Sequence, residues 1–544
     1  MLCIKNNTRS FWLWLVLLLS LEPYSLMPQA PQASHSWENI FEHTKNSVVQ
    51  IFALGTHFNW EVPFQSGEAF EHRGGGVIVS PQGDIYTNYH VIDEADVIYI
   101  QHPLLEEKFA VDFLGASPSC DLAHLRITSE DFQKLTTMLS IKQLDFLTFG
   151  DSDQMKQGNE IMVIGYPLGD EDIKLSLGTI SGQTHSSVGG ECFTIDASTY
   201  PGNSGGPVLN DKGEVIGFLV AVAQNNGRAV ENIGHVIPVN RLKAIAQELE
   251  DGIILRPSNW GLNFAQTTAE TLMYLGSKDG SGIYVSRVFS GSLGEKAGIK
   301  AGDIIIAVNN FKVNRFGSIT VPWTDYRISF PDLLSRTKNG DRVEFTVRRK
   351  DKVFKCSVEK CPPAETPVKS YYLPFEQEPT YDVFGGMVFM EMTGNHIAQF
   401  LSSMYGLFPS LPFSEGKPYA QWAEQLKFAV SDAIYTPHVI ITHVFPETEL
   451  GKSSMFGPFD CIIEKINTIK VRTLDELRDA ICKGASTGYI LIETRYGTKV
   501  VLPLNKILAQ EKELADKYGY QLSSLIEQLA TPKTASHPQK APRP

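Results

Sequence analysis

Short apolar runs, cut by glycine-rich turns, dominate the chain from about Trp37 to Ile254. That texture predicts the strands of a barrel or sandwich. Ser47-Val-Val-Gln-Ile-Phe52 is one predicted strand and Gly74-Gly-Gly-Val-Ile-Val-Ser80 another. Pro81-Gln-Gly-Asp84 supplies the turn into Ile85-Tyr-Thr-Asn-Tyr-His-Val-Ile92, which places His90 at a strand end. Further on, Leu122, His124 and Arg126 alternate with Ala123, Leu125 and Ile127, a strand with Asp121 at its mouth. Two more strand-turn units follow, at 160–169 and 175–182, and Asn240 to Leu249 reads as an amphipathic helix closing the region.

Beyond a linker at Arg256-Pro-Ser258 the pattern repeats. Gly282-Ile-Tyr-Val-Ser-Arg-Val-Phe289 answers to His438-Val-Ile-Ile-Thr-His-Val-Phe445, and 303–309 answers to 460–467. Each copy continues into a helix-like segment, at Phe330–Leu334 and Thr473–Leu477. Two copies of a strand-turn-strand-helix-strand unit predict two domains, since a solenoid needs three or more short repeats. The second copy carries an insertion from about Thr393 to Lys427. The chain ends in a predicted helix, about Lys506 to Leu529, and a Pro/Lys/Ser/Thr tail of disordered composition.

Composition narrows the class. With 544 residues, length predicts about three domains. The 48 basic against 61 acidic residues give a net charge of −13, which argues against a binder of nucleic-acid phosphates. At the N-terminus Lys5 and Arg9 precede an apolar run, Phe11 to Leu21, short for a span of about 20 residues but suited to an export signal. Cys120, Cys192, Cys356, Cys361, Cys461 and Cys482 show no tight metal-ligand spacing and are too sparse for a disulfide scaffold, so buried free thiols are the preferred reading, with a Cys356–Cys361 or a Cys120–Cys192 bridge the alternative in an oxidising compartment. No metal or other cofactor is expected.

The candidate chemistry centres on Tyr200-Pro-Gly-Asn-Ser-Gly-Gly-Pro207. Glycines on both sides of Ser204 let the backbone turn tightly and bring main-chain N–H groups toward a reacting atom. His90, Asp121 and Ser204 occur in the order of a chymotrypsin-type triad: base, orienting acid, nucleophile. The N–H groups of Gly202 and Ser204, with Asn203 beside them, are the candidate oxyanion hole. An α/β-hydrolase esterase is disfavoured because the serine lacks a Gly-x-Ser-x-Gly elbow.

Thr87-Asn-Tyr-His-Val-Ile92, Asp121-Leu-Ala-His-Leu125, Pro201-Gly-Asn-Ser-Gly-Gly-Pro-Val208 and Gly234-His-Val-Ile-Pro-Val-Asn240 together resemble the HtrA/Deg family of serine proteases. The repeated unit, with Ala297-Gly-Ile-Lys-Ala-Gly-Asp303, resembles a PDZ domain, and Tyr381-Asp-Val-Phe-Gly-Gly-Met-Val-Phe389 looks like the second PDZ domain of plant-type Deg proteins. The resemblance implies a multidomain, mostly β chain: a chymotrypsin-like double β-barrel followed by two α+β PDZ domains. The boundaries read as a signal peptide at 1–33, protease at 36–254, first PDZ at 256–363, second PDZ with its insertion at 366–508, and a helical and disordered tail at 509–544.

The resemblance also implies an exported quality-control endopeptidase, periplasmic if bacterial, that cuts unfolded or damaged proteins and assembles as a homotrimer or a multiple of one. A chaperone or adaptor with secondary proteolysis is the alternative. Ser198, Thr199, Phe218, Leu219 and Val220 would line the specificity pocket, and Asp196 would be structural. No acidic residue stands where a trypsin-like pocket has one, so cleavage after small or medium apolar residues is expected. Asn203 replaces the aspartate that pairs with a newly cut N-terminus in digestive relatives. Trp260, Gly261 and Leu262 would hold a peptide C-terminus on the first PDZ domain, and the second would serve assembly or regulation.

Overall fold

A computed structural model describes residues 36–186, 190–220, 224–225, 228–229, 234–251, 254–363, 379–396, 436–453 and 461–530. The expected signal peptide, most of the insertion and the end of the tail lie outside the described residues.

Two closed six-stranded barrels form the first unit. The first comprises β1 (Val48–Thr56), β2 (Ala69–Ile78), β3 (Asp84–Thr87), β4 (Ala95–Gln101), β5 (Lys108–Ser117) and β6 (Leu122–Ile127), in the order β1-β2-β3-β6-β5-β4. The second comprises β7 (Glu160–Gly165), β8 (Lys174–Ser186), β9 (Gly190–Ile195), β10 (Pro207–Leu209), β11 (Val215–Val220) and β12 (Gly234–Pro238), in the order β10-β11-β12-β9-β8-β7. The unbroken burial of β1 from Val48 to Ala53 has a packing reason. Val49, Ile51 and Ala53 fill the first barrel, whereas Val48 joins Met162, Ile164 and Phe218 between the barrels. A strand buried on both faces loses its alternation.

Two expectations are corrected here. His90 is not on a strand: Asn88 ends β3, and Tyr89–Ile92 form a single helical turn, α1. The closing helix is α2, Val239–Ile245, with a separate 3-10 turn at Glu248–Asp251.

The first PDZ domain is a sheet of β13 (Leu262–Ala265), β14 (Ile283–Val288), β15 (Ile304–Val308), β16 (Arg342–Arg349) and β17 (Lys352–Glu359), in that order, with Phe311–Lys312 paired to β15. Its helix α3 (Phe330–Ser335) starts under a Ser329 cap and packs Phe330, Leu333 and Leu334 into the core. The second PDZ domain has a three-stranded sheet, β18 (Tyr381–Phe384), β19 (Met387–Glu391) and β20 (Val439–Val444). A second sheet contains β21 (Ile463–Ile466), β22 (Tyr489–Thr494) and β23 (Lys499–Pro503), and α4 (Leu474–Gly484) covers the core.

The end of the chain departs from expectation. Helix α5, Leu504–Tyr518, stops at Gly519, whose left-handed φ of 76° caps it, and α6, Ser524–Ala530, follows. Ile507, Leu525 and Ile526 belong to the same core as α4, so 509–530 are part of the second PDZ domain rather than a tail. A boundary at 508 would cut through α5.

Candidate active site

His90 and Asp121 meet through a double grip. Asp121 Oδ2 accepts from His90 Nδ1 at 2.8 Å, and Oδ1 accepts from the His90 backbone N–H at 2.9 Å. The second bond fixes the helical turn as well as the ring. Asp121 is 1% exposed and sits at φ 53°, a left-handed conformation that aspartate tolerates better than most residues. The Asn88 amide donates to the Asp121 carbonyl at 3.0 Å and holds that kink. A carboxylate can only accept, so Nδ1 carries the proton and Nε2 keeps its lone pair. The imidazole side chain is 42% exposed, so Nε2 is left on the accessible side.

Ser204 lies across the barrel junction, on a turn that only glycine permits. At Gly202, φ 95°, a β-carbon would fall 2.4 Å from the Tyr166 carbonyl oxygen; at Gly205, φ 82°, it would fall 2.2 Å from Thr87 Oγ1. The first barrel grips the turn through β2: Gly75 N–H donates to the Ser204 carbonyl at 2.7 Å, while Thr87 Oγ1 donates to the Gly75 carbonyl at 2.7 Å. A β-carbon on Gly74 would meet both the Val91 γ-methyls and the Ser204 carbonyl oxygen. The Val91 side chain, next to His90 in sequence, and the backbone of Ser204 therefore flank a single glycine.

Tyr200 to Asn203 form a turn with Pro201 second and Gly202, at positive φ, third, the sequence signature of type II. Asn203 N–H closes it on the Tyr200 carbonyl at 3.1 Å, which removes that N–H from the expected set of oxyanion donors. Leu168 N–H donates to the Pro201 carbonyl at 2.6 Å. Because a trans peptide points its C=O and N–H in opposite directions, Gly202 N–H is aimed away from Leu168. Leu168 itself sits at φ 60°, and nothing in its sequence context marked it. The Asn203 side chain is buried with Oδ1 unpaired, which suits a neutral amide where a carboxylate would lack a cation.

The expected pocket residues separate. Phe218 and Leu219 are fully buried on opposite faces of β11, one between the barrels and one in the second barrel. Leu219 also spends both backbone groups on Gly205 and Gly206. Period-two alternation puts neighbouring strand residues on opposite faces, so the two cannot share one pocket wall. Val220 is half-buried at the strand end, Thr199 half-buried and Ser198 exposed. Asp196 accepts from the Thr179 N–H and hydroxyl, at 2.5 and 3.0 Å, a structural clasp on β8.

His72 has its pKa lowered, first by burial and then by the neighbouring His57. Burial raises the Asp93 carboxyl against the opposing hydrogen bond from Tyr89. Among the described residues no cluster of three or more His, Cys, Asp or Glu could hold a metal, and the six described cysteines are free.

Trp260, Gly261 and Leu262 do come together. They line a cavity of about 400 Å³ between β13 and α3, with Phe264, Phe330 and Arg241 among its other walls. Arg241 belongs to the protease unit, so this groove opens onto the second barrel.

The trypsin-like peptidase domain family matches residues 74–218, and the PDZ domain family matches 256–321 and, in a second form, 372–523. The chain thus carries a trypsin-like peptidase domain followed by two PDZ domains. A probable periplasmic serine endoprotease DegP-like of Chlamydia trachomatis is 30% identical over 328 residues, covering 59% of this chain and 60% of that one. The periplasmic pH-dependent serine endoprotease DegQ of Escherichia coli is 31% identical, covering 55% and 62%; the chloroplastic Protease Do-like 2 of Arabidopsis thaliana is 28% identical, covering 66% and 58%. The solved structure of HtrA-type protease AlgW with tripeptide aligns with a TM-score of 0.48 at 24% identity, over 61% of this chain and 98% of that one. This chain is similar to the DegP-like, DegQ and Do-like serine endoproteases, and it spans about 60% of the length of the curated relatives it matches.

Proposed function

We propose that the chain is an exported serine endopeptidase that degrades unfolded or damaged proteins. The observation that carries this reading is the grip of buried Asp121 on both the ring and the backbone of His90, beside a serine held by glycines. Ser204 Oγ attacks the scissile carbonyl while His90 Nε2 takes its proton, then returns it to the leaving amine. Asp121 keeps the ring in the Nδ1–H tautomer and stabilises the imidazolium. Gly202 N–H and Ser204 N–H hold the oxyanion. Water, activated by the same histidine, then releases the acyl group. Thr199 and Val220, with no acid among the pocket residues, fit small or medium apolar side chains before the cut.

By analogy with its relatives, the chain works as a homotrimer or a multiple of one, and its first PDZ domain recruits peptide C-termini. Casein cleavage by the protein and by Ser204→Ala tests the core of the reading. Cleavage by the parent alone is expected. No cleavage by either, with aggregation of the reporter still suppressed, would replace the protease with a chaperone.

A further inference from the structure

The turn that aims Gly202 is itself held from the other barrel. Tyr166 to Asp170 leave the end of β7 as a surface turn, closed by Gly169 N–H on the Tyr166 carbonyl and Asp170 N–H on the Pro167 carbonyl, each at 3.1 Å. This turn packs directly on the nucleophile turn: a β-carbon on Gly202 would fall 2.9 Å from the Gly169 nitrogen and 3.2 Å from the Leu168 nitrogen. The bond from Leu168 N–H to the Pro201 carbonyl sets the plane of the Pro201–Gly202 peptide, and with it the direction of Gly202 N–H. Yet Leu168 is 76% exposed at φ 60°, so its own side chain buries too little to keep the turn in place.

Three bonds to β1 and β2 supply what is missing. The Tyr166 hydroxyl donates to the Val48 carbonyl at 3.0 Å, Gln50 Nε2 donates to the Asp170 carbonyl at 3.4 Å, and Arg73 Nη1 donates to the Gly169 carbonyl at 3.3 Å. Their spacing follows from the strand period. Val48, Gln50 and Phe52 alternate with the barrel-filling Val49, Ile51 and Ala53, so they share the opposite face, on which Val48 packs between the barrels. Arg73 stands opposite Phe52 in the β1–β2 register, and its guanidinium lies 5.1 Å from the centre of that ring. Glu71 Oε1 accepts from Arg73 Nε at 2.7 Å, which leaves the Nη groups to reach Gly169. At Gly169, φ 73°, a β-carbon would fall 3.1 Å from Arg73 Cδ, so glycine lets the side chain lie close along the turn. The two side-chain bonds are long against a usual N–H···O distance of about 2.9 Å, so neither holds the turn alone.

The geometry points to Gln50 and Arg73 as positioning residues for the oxyanion hole: they clamp the 166–170 turn, which through Leu168 orients Gly202 N–H. β2 then grips both ends of the nucleophile turn, Ser204 by the Gly75 backbone and Pro201 by the Arg73 side chain through Leu168. The role rests on the endopeptidase reading above.

The test uses the full chain with Gln50→Met and Arg73→Met, singly and together, which keep the apolar stems and remove the donors. A fluorogenic peptide with valine before the scissile bond reads kcat and KM. The matching peptide boronic acid, whose adduct with Ser204 places an oxygen in the oxyanion hole, reads binding of a transition-state mimic. The double variant should lose at least tenfold in kcat with KM within twofold, against about a hundredfold or more for removal of a whole oxyanion donor. Boronate affinity should fall by the same factor as kcat/KM. The pH profile should not move, because His90 and Asp121 are untouched. Arg73→Lys in place of Arg73→Met, on the Gln50→Met chain, should recover most of the loss. Hydrogen exchange at the Leu168 amide should be at least tenfold faster in the double variant than in the parent. An unchanged kcat, a loss carried by KM, an undiminished boronate affinity or an unmoved Leu168 amide would each overturn the assignment. A parent that cleaves nothing would sink the endopeptidase reading instead, and Leu168 exchange then decides the clamp by itself.

Discussion

The two PDZ domains are fastened to the protease by opposite chemistry. The first docks on the second barrel through charge: Asp332 of α3 takes Arg241 at 2.9 Å and Arg336 at 2.8 Å, and Arg336 continues to Asp153 at 2.8 Å. The second docks on the first barrel through aromatic surface. Phe64, on the loop between β1 and β2, packs against Tyr520, Tyr381 and Phe445 with ring centroids 5.2 to 6.3 Å away, and Trp60 meets His396 at 4.9 Å. Charge pairs depend on directional hydrogen bonds, whereas ring contacts draw on buried apolar area. The first domain is thus held by directional polar contacts and the second by apolar burial.

The strongest way to break this contrast is Phe445→Ala. The ring is fully buried and stacks on Tyr518 at 4.2 Å, so its loss should cost about 3–5 kcal/mol and free the 57–66 loop. Its counterpart Phe289→Ala should destabilise the first PDZ domain and leave that loop protected; thermal melts with hydrogen exchange read both.

Next comes the buried Glu511 carboxyl, whose pKa burial pushes up to about 7 against the hydrogen bonds from Gly385 N–H and the Tyr520 hydroxyl. The unfolded chain ionises this group near 4.5, the folded chain near 7. The folded state binds the extra proton between those values, so stability should fall across pH 4.5 to 7 and then level off. The full drop is about 3 kcal/mol. Glu511→Gln should flatten the profile in melts of the second domain, and a pH-independent parent would remove the group from the account.

Arg336→Ala should loosen only the first PDZ domain, by about 2 kcal/mol for lost charge-assisted hydrogen bonds, seen as faster exchange in α3. At the small end, Lys156→Ala removes an exposed pair with Asp325 and should change nothing measurable in domain docking.

Much of this organisation was legible in the sequence, because it is local. Short apolar runs cut by glycine-rich turns marked strands in both barrels, and repeated phrases marked two copies of one domain. The glycine frame of Ser204 named the residue around which the site is built. Other features escaped for physical reasons. His90 looked like a strand residue because Ile85 to Ile92 is rich in the β-branched and aromatic residues that favour strands; the break at Asn88 comes from its side-chain bond to Asp121, more than thirty residues away. Phe218 and Leu219 looked like pocket residues because burial between two barrels hides alternation. The Asn203 N–H was lost to a turn that depends on Leu168 as well as on Pro201 and Gly202. The docking of Phe64 on Phe445 joins positions separated by most of the chain, and no period encodes it.

The bond from Gly75 N–H to the Ser204 carbonyl gives the site a mechanical character. His90 and Asp121 are fixtures of one barrel and Ser204 of the other, so the candidate site is a seam between the two barrels. Its alignment is the alignment of those barrels. Any partner that tilts one barrel against the other changes every distance in the seam at once, without touching a single residue that does the chemistry.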